Sequence, residues 1–221
     1  VRGAGELGSG VAHLLHRVGL HVFMSDITPA LAIRRPVTFS SALIEGSSEV
    51  EGIESKKAQS YKLNQSKRWK HIPMFEDDPG KLLELKPTVL IDARMIKKYA
   101  EDFRTWADLV IGLGPGFEVD KNCHRAIETM RGHNLGRIIS EGVPLADTGI
   151  PGKLGGETRR RLVRATRSGQ IKWSSQFGDL VTKGQQLALI NNDKPVFAPI
   201  DGIVRGMISE YTPVVKGMKI G

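Results

Sequence analysis

Apolar residues at Val11, Leu14, Leu15 and Val18 recur at i, i+3, i+4 and i+7, the spacing of one helix face. The pattern predicts a helix that opens just after the first glycines and stops at Gly19, a residue favoured just past a helix end. His21-Val22-Phe23-Met24-Ser25-Asp26 then reads as a buried strand closing on a carboxylate. Further strands are expected over Val50–Glu54, His71–Phe75, Thr88–Asp92, Leu109–Leu113 and Leu135–Ile139. Two of these hold continuous apolar runs, Val89-Leu90-Ile91 and Leu109-Val110-Ile111, as parallel strands covered on both faces do. Pro79–Leu85 reads as a helix with proline in its first turn. Lys56–Lys70 is polar and basic, a surface helix or a mobile loop. Up to about residue 150 the alternation is that of an α/β unit.

The C-terminal quarter has a different pattern. Val163-x-Ala165-x-x-x-Gly169-x-Ile171 recurs as Val196-x-Ala198-x-x-x-Gly202-x-Val204, and Val181-Thr182-Lys183-Gly184 as Val214-Val215-Lys216-Gly217. Both blocks share one offset of 33 residues (196 − 163 and 214 − 181), which also relates Leu187 to Ile220. The β-branched residues and turn glycines argue for strands rather than helix pairs. Two such halves about an approximate two-fold resemble the barrel-sandwich hybrid of biotinyl and lipoyl domains. Lys194 lies between the halves, where a carrier domain presents its modified lysine. Yet Asn191-Asn192-Asp193-Lys194-Pro195 lacks the methionines that flank a biotin site, and the run from lysine to the next glycine is short for a lipoyl site. An ordinary turn lysine is expected, without biotin or lipoyl attachment. The reading is therefore a Rossmann-like nucleotide-binding domain over 1–157, followed by a small all-β barrel-sandwich module over 158–221 that serves as a docking or lid domain.

Candidate chemistry starts at the amino end. Gly3-Ala4-Gly5-Glu6-Leu7-Gly8 spells G-x-G-x-x-G where the helical run begins, with Gly10 close behind. In a dinucleotide fold Gly3 makes the tight turn, Gly5 admits a pyrophosphate and Gly8 lets the helix pack closely. The anion sits on free amides at the positive end of the helix dipole. The strand that precedes such a turn is expected upstream of Arg2. Asp26, 23 residues after Gly3, stands where an acid binds the adenosine ribose. The competing reading is a plain βαβ unit whose glycines only permit packing. A second glycine loop, with Gly112, Gly114 and Gly116, follows an apolar strand, and loops at such strand ends are common ligand sites. Arg94, Arg131 and Arg137 offer forks for phosphate or carboxylate, and His133 lies among them. Each residue also has an ordinary reading, Asp92–Arg94 as an ion pair and the glycines as turns. As a set they predict a ligand cleft between the two domains. No G-x-S-x-G elbow or H-E-x-x-H helix occurs. His13 and His16 lack a third ligand, and no metal site is expected.

Composition narrows the class further. Across 221 residues, 40% hydrophobic and 25% charged content is that of a globular protein, and no run of 18 apolar residues suggests a membrane span. The single Cys123 excludes an intramolecular disulfide and suits a reducing cytosol. The net charge of +8 gathers in two clusters: Lys56, Lys57, Lys62, Lys67, Arg68 and Lys70, then Arg159, Arg160, Arg161, Arg164 and Arg167. Only Tyr61 and Trp69 interleave with them, so both read as solvated surface rather than a nucleic-acid footprint. The start at Val1 and the end at Gly221 in a strand-like pattern suggest a piece of a longer protein.

Six motifs in order carry a family resemblance: G-A-G-E/D-x-x-S/T-G at Gly3–Gly10, A-I-R-R at Ala32–Arg35, D-A-R at Asp92–Arg94, G-L-G-P-G-F at Gly112–Phe117, I-E-T-x-R-G-H-x-L-G-R at Ile127–Arg137 and T-G-x-P-G at Thr148–Gly152. The chain resembles the YqeB-type accessory proteins associated with selenium-dependent molybdenum hydroxylases. Met130 stands where that pattern has a polar residue, and Asp26 where glutamate is frequent. The resemblance implies a cytoplasmic maturation factor that handles a nucleotide or a phosphate-bearing molybdopterin. Its implied partners are the hydroxylase or its cofactor-maturation proteins, with no nucleic acid and no membrane, and self-association left open. NAD or NADP and the molybdenum cofactor are the candidate ligands, with Arg34 and Arg35 able to accept a 2′-phosphate. Two alternatives stand beside it: a free-standing NAD(P)-dependent oxidoreductase with His133 as proton donor, and a non-catalytic docking scaffold.

Overall fold

The computed structural model describes residues 1–63, 66 and 69–221; Lys67 and Arg68 of the first basic cluster lie outside the described residues. The chain packs as two units, one of Val1–Thr28 with Val37–Gly149 and one of Pro29–Pro36 with Ile150–Gly221.

In the first unit, strands rich in β-branched and apolar residues pair about an extended segment at the amino end. Val1–Gly3 runs parallel to and between β1 (Met24–Asp26) and β5 (Val89–Asp92), with Arg2 opposite both Ser25 and Asp92. Arg2 donates its amide to the Ile91 carbonyl at 2.8 Å, and Ser25 donates to the Val1 carbonyl at 3.0 Å. Val1–Gly3 thus takes the central position of this sheet, between β1 and β5. On one side, β1 is followed by β4 (Ile72–Glu76) and β3 (Ile53–Lys57), all parallel, then antiparallel β2 (Ser47–Val50). On the other, β5 is followed by parallel β6 (Leu109–Leu113) and β7 (Arg125–Ile127), then antiparallel β8 (Ile138–Ile139).

Several elements differ from the sequence reading. Of the strand expected over His21–Asp26 only Met24–Asp26 forms, and Lys56 and Lys57, expected in a surface helix or loop, end β3. The strand expected at Val50–Glu54 is split: Val50 ends β2 and Ile53–Glu54 begin β3, with Glu51 and Gly52 in the hairpin turn at positive φ of 47° and 78°. Only Ile138–Ile139 of Leu135–Ile139 is strand, since Leu135–Arg137 is held in turns by backbone bonds to Gly132, Glu128 and Asn134. The helix itself, α1 (Glu6–Arg17), forms where expected but in a different phase: it buries Gly8, Ser9, Ala12 and His16, while Leu14 and Val18 are 61% and 68% exposed. Small residues win that face because the helix approaches the backbone too closely for leucine; a Cβ on Gly8 would lie 1.9 Å from the Gly3 carbonyl oxygen. Two shorter helices follow, α2 (Ala42–Glu45) and α3 (Pro79–Glu84), the latter capped by Asp78 accepting the Lys81 amide.

The second unit pairs β9 (Ile171–Trp173), β11 (Gln186–Ile190) and β12 (Lys194–Phe197) antiparallel, and β10 (Leu180–Val181) with β13 (Gly202–Ile203). The described strands form no closed barrel. The 33-residue repeat becomes reciprocal pairing. Gly184 donates to Ala198, as Gly217 does to Ala165; Ala198 donates to Gln185, as Ala165 does to Met218; Ser175 donates to Leu187, as Ile208 does to Ile220. Ala165 and Ala198 are both buried, as are Leu187 and Ile220. Pro29–Pro36 joins this unit through contacts invisible to periodicity: Met207 N–H to the Ile33 carbonyl at 2.7 Å, and Thr212 Oγ1 to the Ala30 carbonyl at 3.1 Å.

Gly8→Ala is expected to destabilise the chain by about 2–4 kcal/mol, because its methyl meets backbone that cannot retreat. Gly10→Ala, whose added Cβ meets nothing within 4 Å, should instead stabilise by up to about 1 kcal/mol. Urea unfolding of the two variants checks both.

Candidate functional site

The carboxyl ends of the parallel strands carry three aspartates, Asp26 closing β1, Asp77 just after β4 and Asp92 closing β5. The glycine turn lies among them. Gly3 has φ of +91°, and a Cβ there would come within 2.8 Å of the Arg94 Cα and amide nitrogen. Glycine is required on both counts. Ala4 then donates its amide to Asp26 Oδ2 at 2.9 Å, while Asp26 Oδ1 accepts from the Ile27 amide at 2.8 Å. Ser9 fixes the loop from the helix side: its Oγ donates to the Ala4 carbonyl and accepts from the Phe39 amide, both at 2.9 Å.

Gly5 precedes the helix with no side-chain cap, and a Cβ on it would meet nothing within 4 Å. The first helical bond runs from Ser9 N–H to the Gly5 carbonyl, so the amides of Glu6, Leu7 and Gly8 precede the ladder. Such amides at the positive end of a 12-residue helix suit an anion. Burial pushes the Asp26 carboxyl above its ordinary value against the two amides that favour its charge, and nearby Asp77 adds to the rise. Asp26 is therefore a hydrogen-bonding carboxyl aimed at the loop, suited to a hydroxyl beside an anion.

Behind the turn stands a layer of paired charges. Arg2 grips Asp77 through Nε at 2.9 Å and Nη2 at 2.6 Å, and Ser25 Oγ adds a third bond at 2.9 Å. Burial alone would raise the Asp77 carboxyl, but the bonds and charge of Arg2, with help from Ser25 and Arg94, bring it below the usual range. Arg94 holds fully buried Asp92 through Nε at 3.0 Å and Nη2 at 2.6 Å. Both guanidinium groups lie against the Phe103 ring, at 5.1 and 5.2 Å, and Arg2 also lies 5.0 Å from the Trp106 ring. The arrangement makes Arg2 and Asp77 supports of the loop. The sequence gives no sign of them, since a lone arginine and a lone aspartate 75 residues apart form no motif.

The expected site residues divide accordingly. Gly3, Gly5, Gly8, Asp26 and Arg94 come together at this turn, with the Arg94 fork taken up by Asp92. Gly10 lies exposed in the second helical turn, past the amides of the first turn. Gly112, Gly114 and Gly116 are closed by packing. A Cβ on them would strike the Phe117 ring at 2.0 Å, Thr129 Oγ1 at 2.5 Å and the Lys98 carbonyl at 2.0 Å. The Gly114 amide is bonded to the Ile127 carbonyl. Arg131, His133 and Arg137 are exposed, on a loop anchored by buried Glu128, which accepts the Met130 and Leu145 amides. Arg35 donates to the Met207 carbonyl and lies 5.4 Å from the Phe177 ring, within the second unit. In the arginine cluster Arg160 pairs with Glu157, Arg167 with Asp193, and Arg164 bonds the Gly217 carbonyl. Among the described residues, no helix is long and apolar enough to cross a membrane.

Fold and site define a mixed α/β protein with a glycine turn opening a helix at the carboxyl ends of parallel strands. Over the length it spans, the chain belongs to the YqeB-type family. It is 38% identical over 226 residues to a curated protein of Escherichia coli (strain K12) described as "Uncharacterized protein YqeB", a match covering all of this chain and 41% of that protein. The chain thus spans about two fifths of the length of this relative. No family model matches the chain, and no solved structure matches it.

The two aspartates should oppose each other in pH dependence. Asp26, held above its ordinary 3.8, favours the folded state when protonated, a stabilisation present below that value and lost as pH rises through the folded one. Asp77, held below 3.8, stabilises above that value and loses its effect as pH falls. Relative to the unmodified chain, Asp26→Asn should gain stability as pH is raised from about 4 to 7, whereas the deficit of Asp77→Asn should be steady over that range and shrink as pH falls below about 4. Urea unfolding from about pH 2 to 7 reads both slopes.

Proposed function

We propose that this chain is an accessory factor for the maturation of a molybdenum hydroxylase, binding a nucleotide or a phosphate-bearing pterin at the turn Gly3–Gly8. The observation that carries the proposal is the open space over Gly5, beside amides that precede the helical ladder and opposite a carboxyl bonded into the loop. A turn built only for packing would be closed at Gly5 as it is at Gly3 and Gly8. In this reading the first unit is Rossmann-like, supported by the parallel order β3-β4-β1, Val1–Gly3, β5-β6 with the turn following the central segment. The second is a barrel-sandwich module, supported by the reciprocal bonds of its two halves. The amides of Leu7 and Gly8 hold the phosphate and Asp26 takes a neighbouring hydroxyl. Among the described residues no three His, Cys, Asp or Glu side chains gather as a metal site. A molybdenum cofactor would thus be held by its phosphate, which the loop amides fit. The link to a hydroxylase rests on the six ordered motifs.

Gly5→Val projects into the space where an added Cβ meets nothing within 4 Å, so it should fold normally and weaken binding of NAD, NADP or ADP at least tenfold. Gly10→Ala should leave that binding unchanged. Titration calorimetry with these three probes measures both, and equal affinity in Gly5→Val and the unmodified chain would return the turn to a packing role.

A further inference from the structure

Helix α1 buries Gly8, Ser9, Ala12 and His16, and its opposite side is also apolar. Leu7, Val11, Leu14 and Val18 lie there, falling within about 60° of one another at 100° per residue. Leu7 is 44% exposed, Leu14 and Val18 more so, and Val11 is half-buried. Their steps of four, three and four are those of a seam between two helices. An apolar stripe on a helix faces an apolar neighbour, and one left at the surface marks an interaction site. Gly10 lies beside the stripe. A Cβ there would meet nothing within 4 Å among the described residues, and its backbone is ordinary helix. Glycine is a poor helix former, and nothing within reach calls for it at this position. Leu7, Gly10, Val11 and Leu14 bound one surface notch, at i, i+3, i+4 and i+7, which the glycine deepens.

We propose that this face pairs with the same face of a second copy, the two α1 helices running antiparallel about a two-fold axis between Ala12 and His13. A seam that steps four, three, four reads the same in both directions and so complements itself across a two-fold. In that register Leu7 of one copy meets Val18 of the other, and Val11 meets Leu14. Leu14 of each copy enters the notch at Gly10 of the other, as a knob enters a hole. Charge decides the direction. Glu6 and Arg17 are exposed at opposite ends of one flank of the stripe, about 20° apart around the helix. Antiparallel pairing brings Glu6 of each copy beside Arg17 of the other and sets the two helix dipoles head to tail. A parallel pair would set that flank against the side of Leu15, which carries no charge. A seam of 12 residues spans about 18 Å, the scale of a weak, concentration-dependent dimer.

Sedimentation velocity over about 1 to 500 µM should show a monomer–dimer equilibrium with Kd of about 10–100 µM. Leu14→Glu puts a charge where the side chain is already exposed, so circular dichroism should show an unchanged fold. It should weaken the dimer by about thirtyfold or more, because each copy then buries a carboxylate in the seam. Glu6→Arg and Arg17→Glu each set like charges together on both sides of the axis and should each weaken it about fivefold. The double variant Glu6→Arg/Arg17→Glu restores opposite pairs and should return Kd to within about twofold of the unmodified chain. A chain that stays monomeric over the whole range overturns the proposal and leaves the stripe to a different polypeptide. A Leu14→Glu chain that associates as tightly as the unmodified one overturns it as well. So do single charge reversals without effect, or a double variant no tighter than either of them.

Discussion

The structure of the first unit depends on one point of close approach. At Gly3 the central extended segment, the start of α1 and the end of β5 meet with no room for a single Cβ: one added to Gly3 would lie 2.8 Å from the Arg94 backbone, and one on Gly8 1.9 Å from the Gly3 carbonyl. Three pieces of main chain in contact leave no soft side chain to absorb an error, and interiors packed at crystal density transmit such errors. The same contact presses the first helical turn against the sheet and holds its early amides at the carboxyl ends of the strands. Packing constraint and candidate binding site are therefore one piece of backbone.

Charge pairs brace this point from behind. The Arg2–Asp77 pair is almost wholly buried, with side-chain exposures of 5% and 8%. Such a pair contributes little net stability, yet breaking it leaves an uncompensated buried charge and costs about 3–5 kcal/mol. Its effect is geometric: Asp77 and Ser25 lock the ends of β4 and β1 to Arg2, and the Ala4 amide locks Asp26 to the loop. Asp92 does the same for Arg94. Functional-looking residues at strand ends thus divide into those that hold the loop and those that face out of it. Gly5 belongs to the second group, while Asp26, bonded to the Ala4 amide, holds the loop at its edge.

Much of this was legible in the sequence. The G-x-G-x-x-G turn, the helix after it, β4, β5, β6 and α3 all lie within a residue or two of their expected positions, because local apolar runs and capping residues specify them. The 33-residue repeat was legible for another reason: reciprocal pairing requires like residues at like positions. The phase of α1 was not legible. Periodicity locates a stripe, but close backbone approach selected Gly8, Ser9 and Ala12 over Leu14 and Val18. The loop with Gly112, Gly114 and Gly116 misled for the same reason, since glycines that open a cradle and glycines that admit a Phe117 ring look alike in one dimension.

The sequence by itself determined the elements, the turn chemistry and the internal repeat, since each follows from torsional preference and from spacing over a few residues. Tertiary structure alone decided which glycines face open space, which arginines are already paired, and that Pro29–Pro36 belongs with the β-rich unit. Several of those outcomes turn on contacts between distant segments, Ser25 with Asp77 at 52 residues and Ala30 with Thr212 at 182, and even the Phe117 ring over Gly112 is set by how the surrounding sheet folds. No local pattern encodes a contact whose energy exists only after the chain has closed upon itself.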